Sequence, residues 1–99
     1  MIKVDFFDKG KEAGYRISGH ANFANRGQDI VCAAVSSLHL SLLAVLEADK
    51  IPFSYSEGDT KELIVNDSVG NTHLRMFFVG IKCIEKEYPS SVVTEIATC

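Results

Sequence analysis

The stretch that decides the fold is residues 29–49, DIVCAAVSSLHLSLLAVLEAD. Its apolar residues recur every three to four positions, the period at which side chains share one face of an α-helix. The residues that repeat in this way are Ile30, Val31, Ala34, Val35, Leu38, Leu42, Val45 and Leu46. Asp29 is a good N-cap, because its carboxylate can accept hydrogen bonds from the first amides of a helix. The pattern therefore predicts one long helix whose apolar face must be covered.

Short alternating segments on both sides of this helix predict β-strands. Upstream, one run is centred on Val4 and a second on Tyr15–Ile17, and the glycine-containing turn between them is typical of a hairpin. Downstream of Pro52, two further runs lie at Phe53–Tyr55 and Lys61–Asn66. The chain is thus predicted to place two strands before the long helix and two after it.

The last third of the chain predicts one more helix and one more strand. Apolar residues recur at helical spacing from about Asn71 to Glu87, and Pro89 ends that segment. Val92 and Ile96 mark a final strand. The predicted order is ββαββαβ, an α+β fold with a small mixed sheet and two covering helices in a single domain, residues 1–99.

Composition limits the class of protein. The 99 residues are 46% hydrophobic, which is enough for a core, and the net charge of −3 argues against a basic nucleic-acid-binding face. No apolar run is expected to reach the roughly 18 residues of a membrane span. The charged N-terminus is unlike a signal peptide, and three cysteines without paired spacing favour reduced thiols. A cytoplasmic location is therefore expected.

Cys32 is the candidate nucleophile. It falls in the first turn of the long helix, where the helix dipole favours a thiolate and unpaired amides can hold an oxyanion. A cysteine in an apolar helix is also often just a small buried side chain. Position alone therefore leaves both interpretations open.

His20 is the candidate base for this thiol. It lies in the loop Gly19–Gly27, which can fold back over the start of the helix that carries Cys32. His39 is seven residues beyond Cys32, about 10 Å along the helix axis, and direct proton transfer needs about 3 Å. His73 is expected to open the second helix, and the sequence alone does not exclude it.

Several neighbouring residues have both a structural and a functional interpretation. Asp29 caps the helix or also orients His20. Ser36 lies one turn after Cys32, so it bonds either near the thiol or to its own helix backbone. Gly19 supplies a turn conformation or allows the loop to open for substrate. No cofactor is predicted, because the cysteines and histidines lack metal-ligand spacing and the loop lacks a phosphate-binding motif.

Two segments closely resemble the signature of the ribosomal-processing cysteine proteases, the Prp family. They are Ser18-Gly19-His20-Ala21 and Gly27-x-Asp29-Ile30-Val31-Cys32-Ala33-Ala34-Val35-Ser36. The order of two strands, signature loop and long helix is also similar, as is the Tyr88-Pro89 pair that closes the second helix. The resemblance covers nearly the whole chain.

The resemblance implies a small homodimeric protease of the bacterial cytoplasm. Such a protease removes the N-terminal extension of a large-subunit ribosomal protein, cleaving after an aromatic residue and before a small one. Carried over by position, Cys32 is the nucleophile and His20 its base, while Gly19, Asp29 and Ser36 are supporting residues.

Two questions stay open at the level of sequence. Phe23 either shapes an apolar pocket for the aromatic side chain of the substrate or anchors its loop to the core. The chain as a whole is either a protease or a noncatalytic module that binds a ribosomal or assembly partner, with Cys32 merely packed. An alkylation rate at Cys32 well above the rates at Cys83 and Cys99 would favour the protease over the noncatalytic module.

Overall fold

The computed structural model describes residues 1–9, 12–19, 30–66 and 68–98. In chain order the elements are β1 (Ile2–Asp8), β2 (Ala13–Gly19), α1 (Ile30–Ala48), β3 (Phe53–Glu57), β4 (Lys61–Val65), α2 (Ser68–Glu87) and β5 (Val92–Thr98). This order confirms the ββαββαβ prediction. Helix α2 begins earlier than expected, because its apolar period becomes visible in the sequence only at Leu74.

The five strands form one mixed sheet in the order β3-β4-β2-β1-β5. The β1–β5 pair is parallel, and the β1–β2, β2–β4 and β3–β4 pairs are antiparallel. The parallel pair requires a long crossover, since two parallel strands cannot be joined by a tight turn. Helix α2 leads directly into β5 in this crossover. The prediction of a small mixed sheet is confirmed.

The core lies between the two helices and one face of this sheet. Ile2, Val4 and Phe6 are buried at alternate positions of β1, as expected for a strand with one covered face. The buried residues of the helices repeat at helical spacing: Val31, Val35, His39, Leu42 and Leu46 in α1, and Leu74, Phe77 and Ile81 in α2. Two members of the predicted α1 stripe, Ile30 and Val45, are instead exposed at its margins.

Helix α1 is long and apolar enough to cross a membrane by length and composition alone. The expectation that no segment reaches this threshold was therefore wrong. Four of its apolar residues, Val31, Val35, Leu42 and Leu46, instead belong to the buried core that includes the sheet. A helix that packs its apolar face on a protein core is as long and as apolar as a membrane span, so length and composition do not separate the two.

Candidate active site

A cavity of about 530 Å³ lies where β1 begins and β2 ends, and it includes the first turns of α1. Three parts of the chain form its wall. The lining residues are Ile2, Ile17, Ser18 and Gly19 from the strands, Cys32, Val35, Ser36 and His39 from α1, and Gly58, Asp59 and Lys61 from the β3–β4 turn and the start of β4.

Helix α1 presents one continuous row of side chains to this cavity. The row follows the helical period, since successive members are three, one and three positions apart in the sequence. Its members are Cys32, Val35, Ser36 and His39. Cys32 is the third residue of the helix and is half-buried. The structure therefore brings together three of the predicted site residues, because the cavity is lined by Cys32 and Ser36 from this helix and by Gly19 from β2. Neither Cys32 nor Cys83 is disulfide-bonded within the described part of the chain.

Three of the predicted site residues, His20, Phe23 and Asp29, lie outside the described residues. Their predicted roles stay predictions. The described chain reaches His20 from Gly19, in the wall of the cavity, and resumes at Ile30, two residues before Cys32. The segment that carries the predicted base therefore begins after Gly19, which lines the same cavity as Cys32. It ends before Ile30, which is two residues from Cys32 in the sequence.

Gly19 is the last residue of β2, where it pairs with Ile2 of β1. Its φ is +81°, a conformation that L side chains rarely adopt. A Cβ built at this position would lie 2.2 Å from the carbonyl oxygen of Met1. The sequence left two interpretations of Gly19, a turn conformation or a loop that opens for substrate. The structure places Gly19 within the sheet, where only glycine allows β1 to approach so closely.

Replacing Gly19 by alanine should therefore destabilise the fold. The left-handed backbone costs about 1–2 kcal/mol for a residue with a Cβ, and the contact with Met1 adds to it. We expect a total loss of at least about 2 kcal/mol, or roughly 8 °C or more in Tm for a domain of this size. Thermal unfolding measures this.

Gly58 provides a matched control, since it lines the same cavity and a Cβ there would meet nothing within 4 Å. The Gly58→Ala protein should unfold within about 0.5 kcal/mol of the parent. Equal stability of the Gly19→Ala and Gly58→Ala proteins would contradict the packing at Gly19.

His39 forms the buried end of the cavity wall and is only 1% exposed. Its Nδ1 shares a hydrogen bond of 2.5 Å with the hydroxyl of Tyr15, and the Tyr15 ring stacks on Phe77 with centroids 4.0 Å apart. Burial raises the pKa of Tyr15, and nearby Tyr55 adds to this rise. Burial lowers the pKa of His39, and Lys61 lowers it further against the opposing effect of Glu57. This imidazole is a packed, neutral group, unlike an accessible base.

The lowered pKa of His39 predicts a loss of stability in acid. The fold holds the neutral imidazole, whereas the unfolded chain takes up a proton near pH 6.5. The unfolded state then binds more protons, so the free energy of unfolding falls as the pH drops below about 6.5. Replacing His39 by glutamine removes this titration and keeps a polar partner for Tyr15.

Urea unfolding of both proteins between pH 7.5 and 5.5 tests this. The parent protein should lose more stability across that range than the His39→Gln variant. His73 and the carboxylates are common to both proteins, so the difference between the two slopes reports on His39. Parallel slopes would show that burial of His39 does not control its protonation.

The sequence did not identify the part of the cavity that comes from the β3–β4 turn. Asp59 and Lys61 line the same cavity as Cys32 because β4 pairs with β2, and the strand order was not predicted. Nor did the sequence place His73 correctly, since it lies within α2 with its Nε2 3.2 Å from Asp49 Oδ2. The only sequence feature that pointed to this part of the cavity wall was the turn predicted around Gly58.

The arrangement is suited to nucleophilic chemistry. A thiol lies in the first turn of a helix, where the dipole stabilises a thiolate and amide donors lie close to a developing oxyanion. The cavity beside it has apolar walls from Ile2, Ile17 and Val35, and it is also lined by one acidic and one basic residue, Asp59 and Lys61. Among the residues the structure describes, no three side chains of His, Cys, Asp or Glu come together as metal ligands.

Comparison with known proteins agrees with this chemistry. The family model described as cysteine protease Prp matches residues 1–93. The ribosomal processing cysteine protease Prp of Mycoplasma genitalium is 36% identical over 96 residues, which cover 94% of this chain and 93% of that protein. The Staphylococcus aureus protein of the same name is 26% identical, covering 93% and 95%.

Solved structures are similar along almost the whole chain. The essential ribosomal processing protease Prp from Staphylococcus aureus, in complex with a covalently linked product peptide, has a TM-score of 0.89. It is 21% identical, covers 98% of this chain and is itself covered in full, so it supports the fold. A Streptococcus mutans protein has a TM-score of 0.76 at 26% identity, with 100% of this chain and 96% of that one covered.

Proposed function

Because this chain belongs to the Prp family of ribosomal-processing cysteine proteases, we propose that it removes the N-terminal extension of a large-subunit ribosomal protein. It is a cysteine protease, and cleavage follows an aromatic residue through a dyad of Cys32 and His20. The noncatalytic alternative is set aside, since the family is one of proteases.

One observation carries the assignment of the dyad. Cys32 and Gly19 line the same cavity, and His20 is bonded directly to Gly19 in the chain. The chain therefore leaves the wall of this cavity one residue before His20, which supports the assignment. Ser36 lies on the same face of α1 one turn beyond Cys32, where its hydroxyl supports the thiol side of the site. Asp29 is proposed to cap α1 and to fix the segment that carries His20.

The proposed mechanism is acyl transfer through a thioester. His20 takes the proton of Cys32, and the thiolate attacks the carbonyl carbon that follows the aromatic side chain. Amides at the start of α1 stabilise the tetrahedral oxyanion. His20 then gives its proton to the leaving amine, and water hydrolyses the thioester to release the carboxylate and restore the thiol.

The aromatic side chain of the substrate would occupy the apolar part of the cavity. Ile2, Ile17 and Val35 form apolar walls beside Cys32, and Phe23 is proposed to complete this pocket. A small substrate residue after the cleaved bond leaves room beside Cys32 for the C-terminal product to depart. Burial of an aromatic ring supplies most of the affinity expected for a short peptide.

A panel of N-terminal peptides from large-subunit ribosomal proteins tests the proposed function. Each peptide is incubated with the protein, and the products are identified by mass spectrometry. We expect a single cut after an aromatic residue in peptides that carry the extension and none in mature N-termini. Cuts at unrelated positions, or no cut in any extended peptide, would refute the assigned substrate.

We further propose that the protein is a homodimer of the cytoplasm. Four large apolar side chains on the helices support the dimer because they are exposed: Leu40 and Val45 on α1, and Met76 and Val79 on α2. Val45 and Met76 line one pocket together, and contiguous exposed apolar residues mark interaction surfaces. The unpaired spacing of the three cysteines supports the location. Light scattering of the purified chain gives the oligomeric state directly.

A further inference from the structure

Strand β2 extends beyond the strand that covers its outer side. Strand β4 begins at Lys61, which pairs with Ile17. The last two residues of β2, Ser18 and Gly19, pair with β1 on their other side. Within the described chain no strand continues β4 alongside these two residues. We refer to this side of Ser18 and Gly19 as the open edge of β2.

The register determines which backbone group faces the open edge. The amide of Ile2 donates to the carbonyl of Ser91 at 2.8 Å, so the backbone groups of Ile2 face β5. Backbone groups of successive strand residues point to opposite sides, so those of Lys3 face its partner, Ser18. The carbonyl of Ser18 therefore faces β1. In the trans peptide that follows, the N–H of Gly19 points the opposite way, out of the open edge.

The open edge borders the cavity that holds the thiol. Ser18 and Gly19 line this cavity together with Cys32 of α1 and with Gly58, Asp59 and Lys61. A Cβ built at Gly58 would contact nothing within 4 Å, so no atom crowds the cavity at that position. Among the described residues no strand pairs with this side of Gly19, and an unpaired strand edge is a template for another chain.

We propose that the N–H of Gly19 is a main-chain anchor for the substrate, which binds as a short extended strand along the open edge of β2. One carbonyl of the peptide accepts this hydrogen bond, and the peptide lies in line with β4. Pairing of this kind recognises the backbone of any sequence, while alternate side chains turn toward and away from the helix-covered face. The substrate side chain turned toward that face lies on the side of Cys32. This inference deepens the proposed function and rests on it.

The first test observes the anchor itself. A synthetic ten-residue peptide with a single Phe-Ala junction is added to the full-length Cys32→Ala protein, which cannot cleave it. Hydrogen exchange of single amides is then followed by NMR. The Gly19 amide should exchange at least about tenfold more slowly when the peptide is bound. The Ile17 amide, already within the β2–β4 ladder, should not change.

The second test alters the peptide and leaves the protein unchanged. Each backbone amide of the peptide is replaced in turn by an ester, which weakens the carbonyl as an acceptor. Binding should fall about three- to tenfold, the effect of one hydrogen bond, at the position that meets Gly19. Its two neighbours should change little, since their carbonyls point away from β2 in an extended strand.

The outcomes separate this inference from the proposed function. Cleavage of the parent peptide by the wild-type protein, with an unprotected Gly19 amide and a uniform ester scan, overturns the anchor but keeps the protease. Protection of Gly19 by a peptide that the wild-type protein leaves intact keeps the anchor and refutes the proposed cleavage. A peptide that does not bind at all overturns the anchor.

Discussion

Replacing Cys32 with alanine should reduce peptide cleavage by at least about 1,000-fold, because loss of the nucleophile removes the covalent step itself. The fold should survive. Cys32 is half-buried and forms part of the cavity wall, so alanine removes one sulfur atom without emptying the centre of the core. Alanine is also the best helix former, and we expect a change in stability of about 1 kcal/mol or less. Cleavage assays and thermal unfolding of the same preparation measure both effects.

Cys83 is the matched control for this substitution. It is an exposed cysteine on α2 and lies outside the cavity. The Cys83→Ser protein should keep nearly all activity, and iodoacetamide should alkylate Cys32 faster than Cys83, most clearly below pH 8. A folded Cys32→Ala protein with wild-type turnover would remove Cys32 from the mechanism. Loss of turnover in folded Cys83→Ser would show that the roles of the thiols are wrongly divided.

Replacing His20 with alanine should lower turnover by about 100-fold or more, the effect of losing a positioned acid–base group. The residue follows Gly19, which lies in the cavity wall, and the loss should appear mainly in kcat because the imidazole acts on the reacting atoms. His20→Ala should also remove the lower limb of the pH–rate profile, since the proton acceptor is gone. Steady-state kinetics from pH 5.5 to 8.5 measure both effects.

His73 is the control for the proposed base. Its Nε2 lies 3.2 Å from Asp49, and it does not line the cavity of Cys32. The His73→Gln protein should therefore keep its turnover. His39 is a poorer control, since its burial against Tyr15 couples any substitution to stability. Equal losses of kcat in His20→Ala and His73→Gln, with both proteins folded, would argue against His20 as the specific base.

The elements of the fold were predictable because each is encoded by neighbours in sequence. The helical period of residues 29–49 and the alternation around Val4 and Tyr15 are local patterns, and the observed elements follow them closely. Their relative positions were not predictable in this way. Strand order depends on pairings between distant segments, such as Ile17 with Lys61, whose favourable energy is shared over many contacts.

In the candidate site, too, local features were predictable from the sequence and contacts between distant segments were not. Cys32 and Ser36 were assigned to one helical face from their spacing, and the cavity contains both. His20 and Asp29 were candidates from the sequence and from the family resemblance alike, but both lie outside the described residues. The buried pair of His39 and Tyr15 was not foreseen, because a histidine in a helix gives no sign of what a strand 24 residues earlier will place against it.

The sequence by itself determined the secondary structure, the α+β class and the position of the thiol at the start of a helix. Those properties follow from side-chain period and from the dipole of a helix, both of which act over a few residues. Only the tertiary structure decided that Gly19 lies against Met1, that Lys61 faces the cavity and that β2 ends in an open edge. These depend on where β4 starts relative to β2, and register is set by the packing of whole strands against a shared core.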